Sequence, residues 1–182
     1  MDPRGGVLHG IVLAAGAGTR MGTPKALVDD WLARAVHVLT EGGCDRVTAV
    51  LGARADDALG LLPRGAAYVV AQDWADGQSA SLRAGLAAVG PDADAALVTL
   101  VDLPDLVPGV VRRVAEHAAA GTLARAAYDG VPGHPVLLGR DHWAGVLAET
   151  AGDRGAKGYL ATHDVALVEC GDLATGADVD QR

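Results

Sequence analysis

A short segment near the amino terminus, LAAGAGTRMGTPKAL at residues 13–27, combines a flexible backbone with positive charge. Gly16 and Gly18 allow a ligand to approach the backbone closely and permit dihedral angles that other residues avoid. Successive N–H groups in such a turn can hold phosphate oxygens. Arg20 and Lys25 add two cations to a chain whose formal net charge is −8. These residue types therefore predict a loop that binds a polyphosphate.

The glycine spacing differs from two well-known phosphate-binding loops. In the dinucleotide fingerprint G-x-G-x-x-G, the third glycine would stand at Met21, but here Gly22 arrives one residue later. In the P-loop G-x-x-x-x-G-K-[ST], a lysine follows the second glycine directly, whereas Thr23 follows Gly22 here. The segment therefore predicts a phosphate loop of another kind.

Polar side chains also follow two later apolar runs. In DWADGQSASLRAGL, Gly77 frees a turn, and Ser79 and Ser81 are predicted to cap the next helix and to offer hydroxyl groups. In LVTLVDLPDL, Asp102 comes directly after a buried apolar run. A carboxylate at that position suits Mg²⁺, which prefers oxygen ligands. The sequence thus places a candidate metal ligand at the end of a strand.

The elements that must position these groups alternate along the chain. Four apolar runs predict buried strands at Val7 to Ala14, Arg46 to Leu51, Ala67 to Ala71 and Ala95 to Val101. Apolar residues at helical spacing predict helices around Trp31 to Leu39, around Leu82 to Val89, and from Pro108 through Ala118. This alternation is typical of an α/β fold with a parallel sheet and helices on both faces.

The second half of the chain has a less regular pattern. We expect an antiparallel excursion around Leu123 to Leu138, a helix near Trp143 and a last strand at Val165 to Cys170. Ligands of open α/β sheets bind at the carboxyl ends of the strands. The candidate loops should therefore meet at one edge of the sheet.

Size and composition limit the classes of protein that the chain can represent. Its 182 residues suit a single domain over residues 1–182, and the net charge of −8 argues against a polynucleotide partner. No apolar run reaches the roughly 18 residues of a membrane span, and the start lacks the apolar segment of a signal peptide. Cys44 and Cys170 lack metal-binding or disulfide spacing. We therefore expect a cytoplasmic protein that does not bind a membrane.

The first loop closely resembles the signature L-A-A-G-x-G-x-R-M-G-x-x-K of the MobA-like nucleotidyltransferases related to molybdenum cofactor cytidylyltransferase. The resemblance implies a three-layer, Rossmann-like, mostly parallel sheet with helices on both faces, of the nucleotide-diphospho-sugar transferase type. It implies nucleotide binding by Leu13, Ala14, Ala15, Gly16, Gly18, Arg20, Lys25, Gln78, Ser79 and Ser81. Guanylyl-transferring relatives tend to carry glycine at the position of Ala15, so this residue favours cytosine.

Later segments resemble further family motifs over nearly the whole chain. The serine-rich segment resembles W-x-x-G-x-S-x-S-L-R-A-G, and GVPGHPVLL resembles G-x-x-G-H-P-V-L, which implies that His134 and Pro135 contact the acceptor. GDRGAK resembles G-D-x-G-A-R, where Arg154 and Lys157 are candidates for holding acceptor phosphate. Val101 departs from the usual glycine of the G-D-x-P motif.

The family resemblance also implies a metal site and a reaction. The tail segment DVD resembles the start of the motif D-x-D-T-P-E-D, so Asp180, or alternatively Asp178, would join Asp102 as a ligand of Mg²⁺. Arg20, Lys25 and Asp102 would then be the catalytic residues of cytidylyl transfer from CTP to a molybdopterin-type acceptor, with release of pyrophosphate. A molybdenum hydroxylase is the expected protein partner.

Three alternatives remain open from the sequence. The chain could transfer a nucleotidyl group to another phosphate acceptor, because the nucleotide loop does not specify the acceptor. It could be an NAD(P)H-dependent oxidoreductase of the nicotine blue oxidoreductase type, although the late third glycine and the lack of a clear ribose-binding acid argue against this. It could also be a non-catalytic protein that hands cofactor to a molybdenum enzyme.

Overall fold

A seven-stranded sheet in the strand order β3-β2-β1-β4-β6-β5-β7 runs through the computed structural model, which describes residues 6–180. The strands are β1 Val7–Ala14, β2 Arg46–Leu51, β3 Ala67–Val70, β4 Ala93–Leu100, β5 Leu123–Tyr128, β6 Val131–Gly139 and β7 Ala166–Glu169. The helices are α1 Trp31–Glu41, α2 Ala55–Leu59, α3 Gln78–Ala87, α4 Pro108–Ala115, α5 Trp143–Glu149 and α6 Lys157–Ala161. Short 3-10 turns connect several of them.

The sheet is mostly parallel, and its order reverses beside β1. Strand β1 pairs in parallel with both β2 and β4, although β4 comes much later in the chain. Strand β6 is antiparallel to both β4 and β5, while β5 and β7 pair in parallel. The boundary between β1 and β4 is therefore the switch point at which open α/β sheets bind ligands.

Alternating side chains of each central strand build two apolar layers. From β1, Leu8 and Val12 join one cluster, whereas Ile11 and Leu13 join the other. Helices α1 and α4 pack on the first side, and α3, α5 and α6 pack on the second. The predicted three-layer arrangement with helices on both faces is thereby confirmed.

Most of the predicted elements are present, with differences at their ends. Strands β1 and β2 have the predicted bounds, and the antiparallel excursion consists of β5 and β6. Helix α4 begins at Pro108 as predicted but ends at Ala115, so Ala118 lies beyond it. The five-residue helices α2 and α6 were not predicted, because neither is long enough to show an apolar stripe. Within residues 6–180, no helix is sufficiently long and apolar to cross a membrane.

Removing the centre of the core should destabilise the fold strongly. Leu97 lies in β4 and is fully buried, so Leu97→Ala should lower the free energy of unfolding by about 2–5 kcal/mol through lost burial and a residual cavity. Urea unfolding of the purified variant measures this loss. Leu61→Ala is the matched control because Leu61 is 40% exposed, and it should cost about 0.5 kcal/mol or less. Equal losses in the two variants would contradict the assigned core.

Candidate active site

A cavity of about 600 Å³ opens at the carboxyl ends of β1 and β4. Leu13 and Leu100 are paired neighbours in these strands, so the loops that follow them meet at this edge. The predicted nucleotide-binding and metal-ligating residues that line the cavity are Leu13, Ala14, Ala15, Gly16, Gly18, Arg20, Lys25, Gln78, Ser81, Asp102 and Asp180. The fold therefore brings together residues that are distant in sequence.

The backbone of the first loop requires glycine at one position and leaves space at another. Gly18 has φ +62°, and a Cβ there would overlap the carbonyl oxygen of Thr23. The N–H of Met21 donates to the carbonyl oxygen of Gly18 at 3.0 Å, which closes the turn. A Cβ at Gly16 would meet no atom within 4 Å, since this residue borders the cavity. The loop thus offers its backbone to a ligand.

Lys25 forms the central ionic contact of the cavity. Its Nζ donates to Oδ2 of Asp102 at 2.5 Å and to Oδ1 of Asp180 at 2.7 Å. Arg20 makes a longer contact, with 3.4 Å between its Nη1 and Oδ2 of Asp180. The side chains of Lys25 and Asp102 are only 20% and 10% exposed, so this pair is shielded from water. All four predicted charged residues therefore form one cluster.

The charges in this cluster stabilise one another. Burial opposes the charged form of Lys25, but hydrogen bonds and attraction from Asp102 and Asp180 outweigh it and raise the pKa of Lys25. The hydrogen bond from Lys25 lowers the pKa of Asp180 below its ordinary value. Lys25 is consequently protonated, and Asp180 ionised, throughout the neutral range.

Three carboxylates converge beside Lys25. Oxygen atoms of Asp102, Asp178 and Asp180 lie within 4.8 Å of one another. The N–H of Val179 donates to the carbonyl oxygen of Asp102 at 3.1 Å, which holds the tail against the end of β4. A group of oxygen donors of this kind matches the ligand preference of Mg²⁺ and Mn²⁺. The residues present therefore fit a divalent cation.

Ser79 has a different environment from the other predicted nucleotide-binding residues. Helix α3 is capped by Gly77 without a side-chain cap, so the prediction that Ser79 and Ser81 cap it was wrong. Ser79 is 1% exposed, and its Oγ accepts a hydrogen bond from the N–H of Gly155 at 3.1 Å. Ser79 thereby anchors the loop that precedes α6, whereas Ser81 lines the cavity.

A second cavity of about 570 Å³ adjoins the first, and residues such as Gln78 and Asp153 line both. Its walls are the β5–β6 hairpin on one side and the loop before α6 on the other. The predicted acceptor residues His134, Arg154 and Lys157 line it, whereas Pro135, joined to His134 by a cis peptide bond, does not. The two cavities together can hold two substrates side by side.

His134 contributes a neutral ring to the second cavity. Burial, assisted by the positive charge of Arg125, lowers the pKa of His134 to about 4. The hydroxyl of Tyr128 donates to the carbonyl oxygen of His134 at 2.6 Å and fixes this part of β6. At neutral pH the imidazole can therefore donate a hydrogen bond to a ligand or accept one from it, but it adds no charge.

Comparison with known proteins agrees with this geometry. Residues 10–167 match the model of the MobA-like NTP transferase domain. The chain belongs to this family. Family membership and the site geometry identify a nucleotidyltransferase and confirm the predicted fold. In sequence comparison, no protein with a curated description matches the chain.

Solved structures with this fold include mycobacterial and archaeal proteins. Rv0371c from Mycobacterium tuberculosis H37Rv is 29% identical with a TM-score of 0.81, covering 97% of this chain and 94% of that one. Its complex with manganese is 27% identical with a TM-score of 0.77, covering 95% and 94%. A nucleotidyl transferase from Methanothermobacter thermautotroptrophicus, Mth528, is 24% identical with a TM-score of 0.81, covering 97% and 93%, and shows the shared fold.

Several residues of the two cavities were not singled out from the sequence. Trp74 and Asp153 line the first cavity, and Arg125 lines the second. Trp74 stands in the tryptophan-containing family motif, which could have drawn attention to it. Arg125 stands among the apolar residues of β5 without a motif, so only the folded structure places it at the site.

The anchoring role of Ser79 can be tested by a matched pair of variants. Ser79→Ala leaves the buried N–H of Gly155 without its partner, which should lower the free energy of unfolding by about 1–3 kcal/mol. The Oγ of Ser81 has no hydrogen-bond partner within residues 6–180, so Ser81→Ala should change stability by about 0.5 kcal/mol or less. Denaturant unfolding, with hydrogen exchange at Gly155, measures both. Similar losses for the two variants would refute the anchor.

The neutral state of His134 predicts a pH dependence of stability. The pKa of His134 is about 4 in the folded protein and 6.5 without perturbation. At pH values between these two, the unfolded chain therefore binds more protons at this residue than the folded protein does. Stability should therefore fall as the pH drops from about 6.5 to about 4, and His134→Gln should weaken this dependence. A pH titration of the imidazole ring, monitored by NMR, measures this pKa directly. A value at or above about 6.5 would contradict the assignment.

Proposed function

We propose that the protein transfers CMP from CTP to a phosphate group of a molybdopterin-type acceptor and releases pyrophosphate. The contact of Lys25 with Asp102 and Asp180, between a phosphate-binding loop and an adjoining second cavity, carries this proposal. The shared boundary of the two cavities allows a triphosphate and an acceptor to meet beside these charges.

The first loop would hold the triphosphate. Gly16 and Gly18 line the first cavity, and Arg20 and Lys25 supply positive charge at the same edge of the sheet. Held this way, the α-phosphorus would be oriented towards the second cavity, and the charge that develops on the departing pyrophosphate would be neutralised.

Asp102 would hold a divalent cation together with Asp178 and Asp180, whose oxygens lie close enough to share one ion. When bound, Mg²⁺ would neutralise phosphate charge and polarise the phosphorus that is attacked. The manganese complex of Rv0371c supports use of a divalent ion by this fold. Nζ of Lys25 contacts two of these carboxylates, so a bound ion would compete with it for the same oxygens. Nζ would then be available to contact a phosphate.

The base would lie against Trp74, Gln78 and Ser81, which line the first cavity. Ala15 carries a methyl group where guanylyl-transferring relatives tend to have glycine, and it is 3% exposed. A methyl group beside the loop would leave less room than glycine does and would favour a pyrimidine over a purine. This is the support for CTP as the donor.

The second cavity would receive the acceptor. Arg154 and Lys157 offer positive charge at its rim, and the neutral imidazole of His134 offers a hydrogen bond to a pterin or a phosphate. A terminal phosphate of the acceptor is already an anion, so the protein needs no serine or cysteine nucleophile. An acceptor oxygen would bond to the α-phosphorus while the bond to the pyrophosphate oxygen breaks. A molybdenum hydroxylase would receive the product.

The decisive experiment measures pyrophosphate release over a grid of nucleotides, phosphorylated acceptors and divalent ions. Release with CTP, a molybdopterin-type acceptor and Mg²⁺ is the expected result. Lys25→Ala should lower the rate by about 100-fold or more, because it removes charge stabilisation in the transition state. Asp102→Asn should lower the rate and raise the concentration of metal required for it.

Arg64→Met serves as the control, because Arg64 is an exposed cation outside both cavities. Thermal unfolding must show that each variant is folded before its rates are compared. Faster release with a different phosphorylated acceptor would redirect the assignment to that acceptor. Near-normal turnover by Lys25→Ala would remove this residue from the mechanism.

A further inference from the structure

Arg125 occupies an unusual place for a cation. It lies on β5, which is flanked by β6 and β7 in the interior of the sheet order, and its side chain is half-buried against the second cavity. Its Nε donates to the carbonyl oxygen of Gly133 at 3.1 Å. Within residues 6–180 this is its only hydrogen bond, so the other N–H groups of the guanidinium have no protein partner.

Six other arginines in the described residues form ion pairs with aspartates. Arg46 pairs with Asp92, and Arg113 pairs with Asp172, at 2.8 Å and 2.6 Å. No such pair is found in the described part of the chain for the three cations that line the second cavity, which are Arg125, Arg154 and Lys157. In a chain of net charge −8, this cavity therefore holds three cations that form no ion pair within residues 6–180.

Burying a charge without a partner is costly, and a bound anion removes that cost. Burial lowers the pKa of Arg125, yet a guanidinium stays protonated at neutral pH. Its planar fork matches two oxygens of a phosphate, and its position on a strand with a bond to Gly133 restricts its motion. Arg154 and Lys157 are exposed by comparison.

Asp153 and Asp178 also line this cavity, but neither forms an ion pair with Arg125 in the described residues. Asp153 also lines the first cavity, and Asp178 belongs to the carboxylate group around Asp102. A phosphate beside Arg125 and Gly133 would thus compete with no carboxylate for the guanidinium. The neutral ring of His134 lies next to this position and adds a hydrogen bond without changing the charge.

We propose that Arg125 is a specificity-determining residue of the second cavity and binds a phosphate group of the acceptor through its guanidinium fork. The inference rests on the proposed function, because it takes the second cavity as the acceptor site. It goes beyond that function by naming Arg125 as the residue that distinguishes phosphorylated from unphosphorylated acceptors. An acceptor without phosphate leaves the half-buried guanidinium of Arg125 without a counter-ion and binds poorly.

Inorganic phosphate is the probe for this role, and no nucleotide or turnover is needed. Amide NMR spectra recorded during a phosphate titration distinguish the two cavities, because Gly133 and Gly155 report on the second while Gly16 and Gly18 report on the first. The comparison uses the wild type, Arg125→Met, Arg125→Lys and the control Arg64→Met. Loss of a charge-assisted contact should weaken binding at Gly133 about 10- to 100-fold in Arg125→Met.

Arg125→Lys should keep part of the affinity, since it retains charge but not the fork. Arg64→Met should bind phosphate as the wild type does, and shifts at Gly16 and Gly18 should persist in all variants. Unchanged phosphate binding at Gly133 in Arg125→Met would overturn the proposal, as would an absence of binding there in the wild type or equal binding of acetate. Failure of pyrophosphate release with every acceptor would instead count against the proposed transfer reaction.

Discussion

The ionic contact between Lys25 and the carboxylates of Asp102 and Asp180 is the constraint on which the site depends. It joins the loop after β1, the end of β4 and the tail, three segments that are far apart in sequence. Attraction between charges shielded from water is stronger than at the surface, so the contact favours one arrangement of these segments. Three carboxylates this close together repel one another unless positive charge lies beside them. Lys25 neutralises part of their charge, and a divalent ion would neutralise the rest.

The two cavities divide the positive charge of the site between different partners. In the first, Arg20 and Lys25 stand beside carboxylates, an arrangement suited to a triphosphate with a metal ion. In the second, Arg125 forms no ion pair with a carboxylate of residues 6–180 and lies near a neutral imidazole, which suits an anion. Ser79 anchors the loop that contains Gly155, and Asp153 of this loop lines both cavities.

Much of the fold and the first cavity could be predicted from the sequence because their determinants are local. The apolar run of β1 and the glycines and cations after it stand within one continuous segment. The role of Ser79 could not be predicted in this way, because its partner Gly155 lies 76 residues away and only the packing of the loop on α3 brings them together. The same holds for Arg125, whose importance comes from the missing counter-ion rather than from a motif.

The most direct test of the central claim is a crystal structure with CTP and Mn²⁺, in which anomalous scattering locates the metal. We expect manganese bound by Asp102 and at least one tail carboxylate, with Nζ of Lys25 contacting a phosphate oxygen of the nucleotide. Manganese or triphosphate bound away from both Lys25 and Asp102 would contradict it.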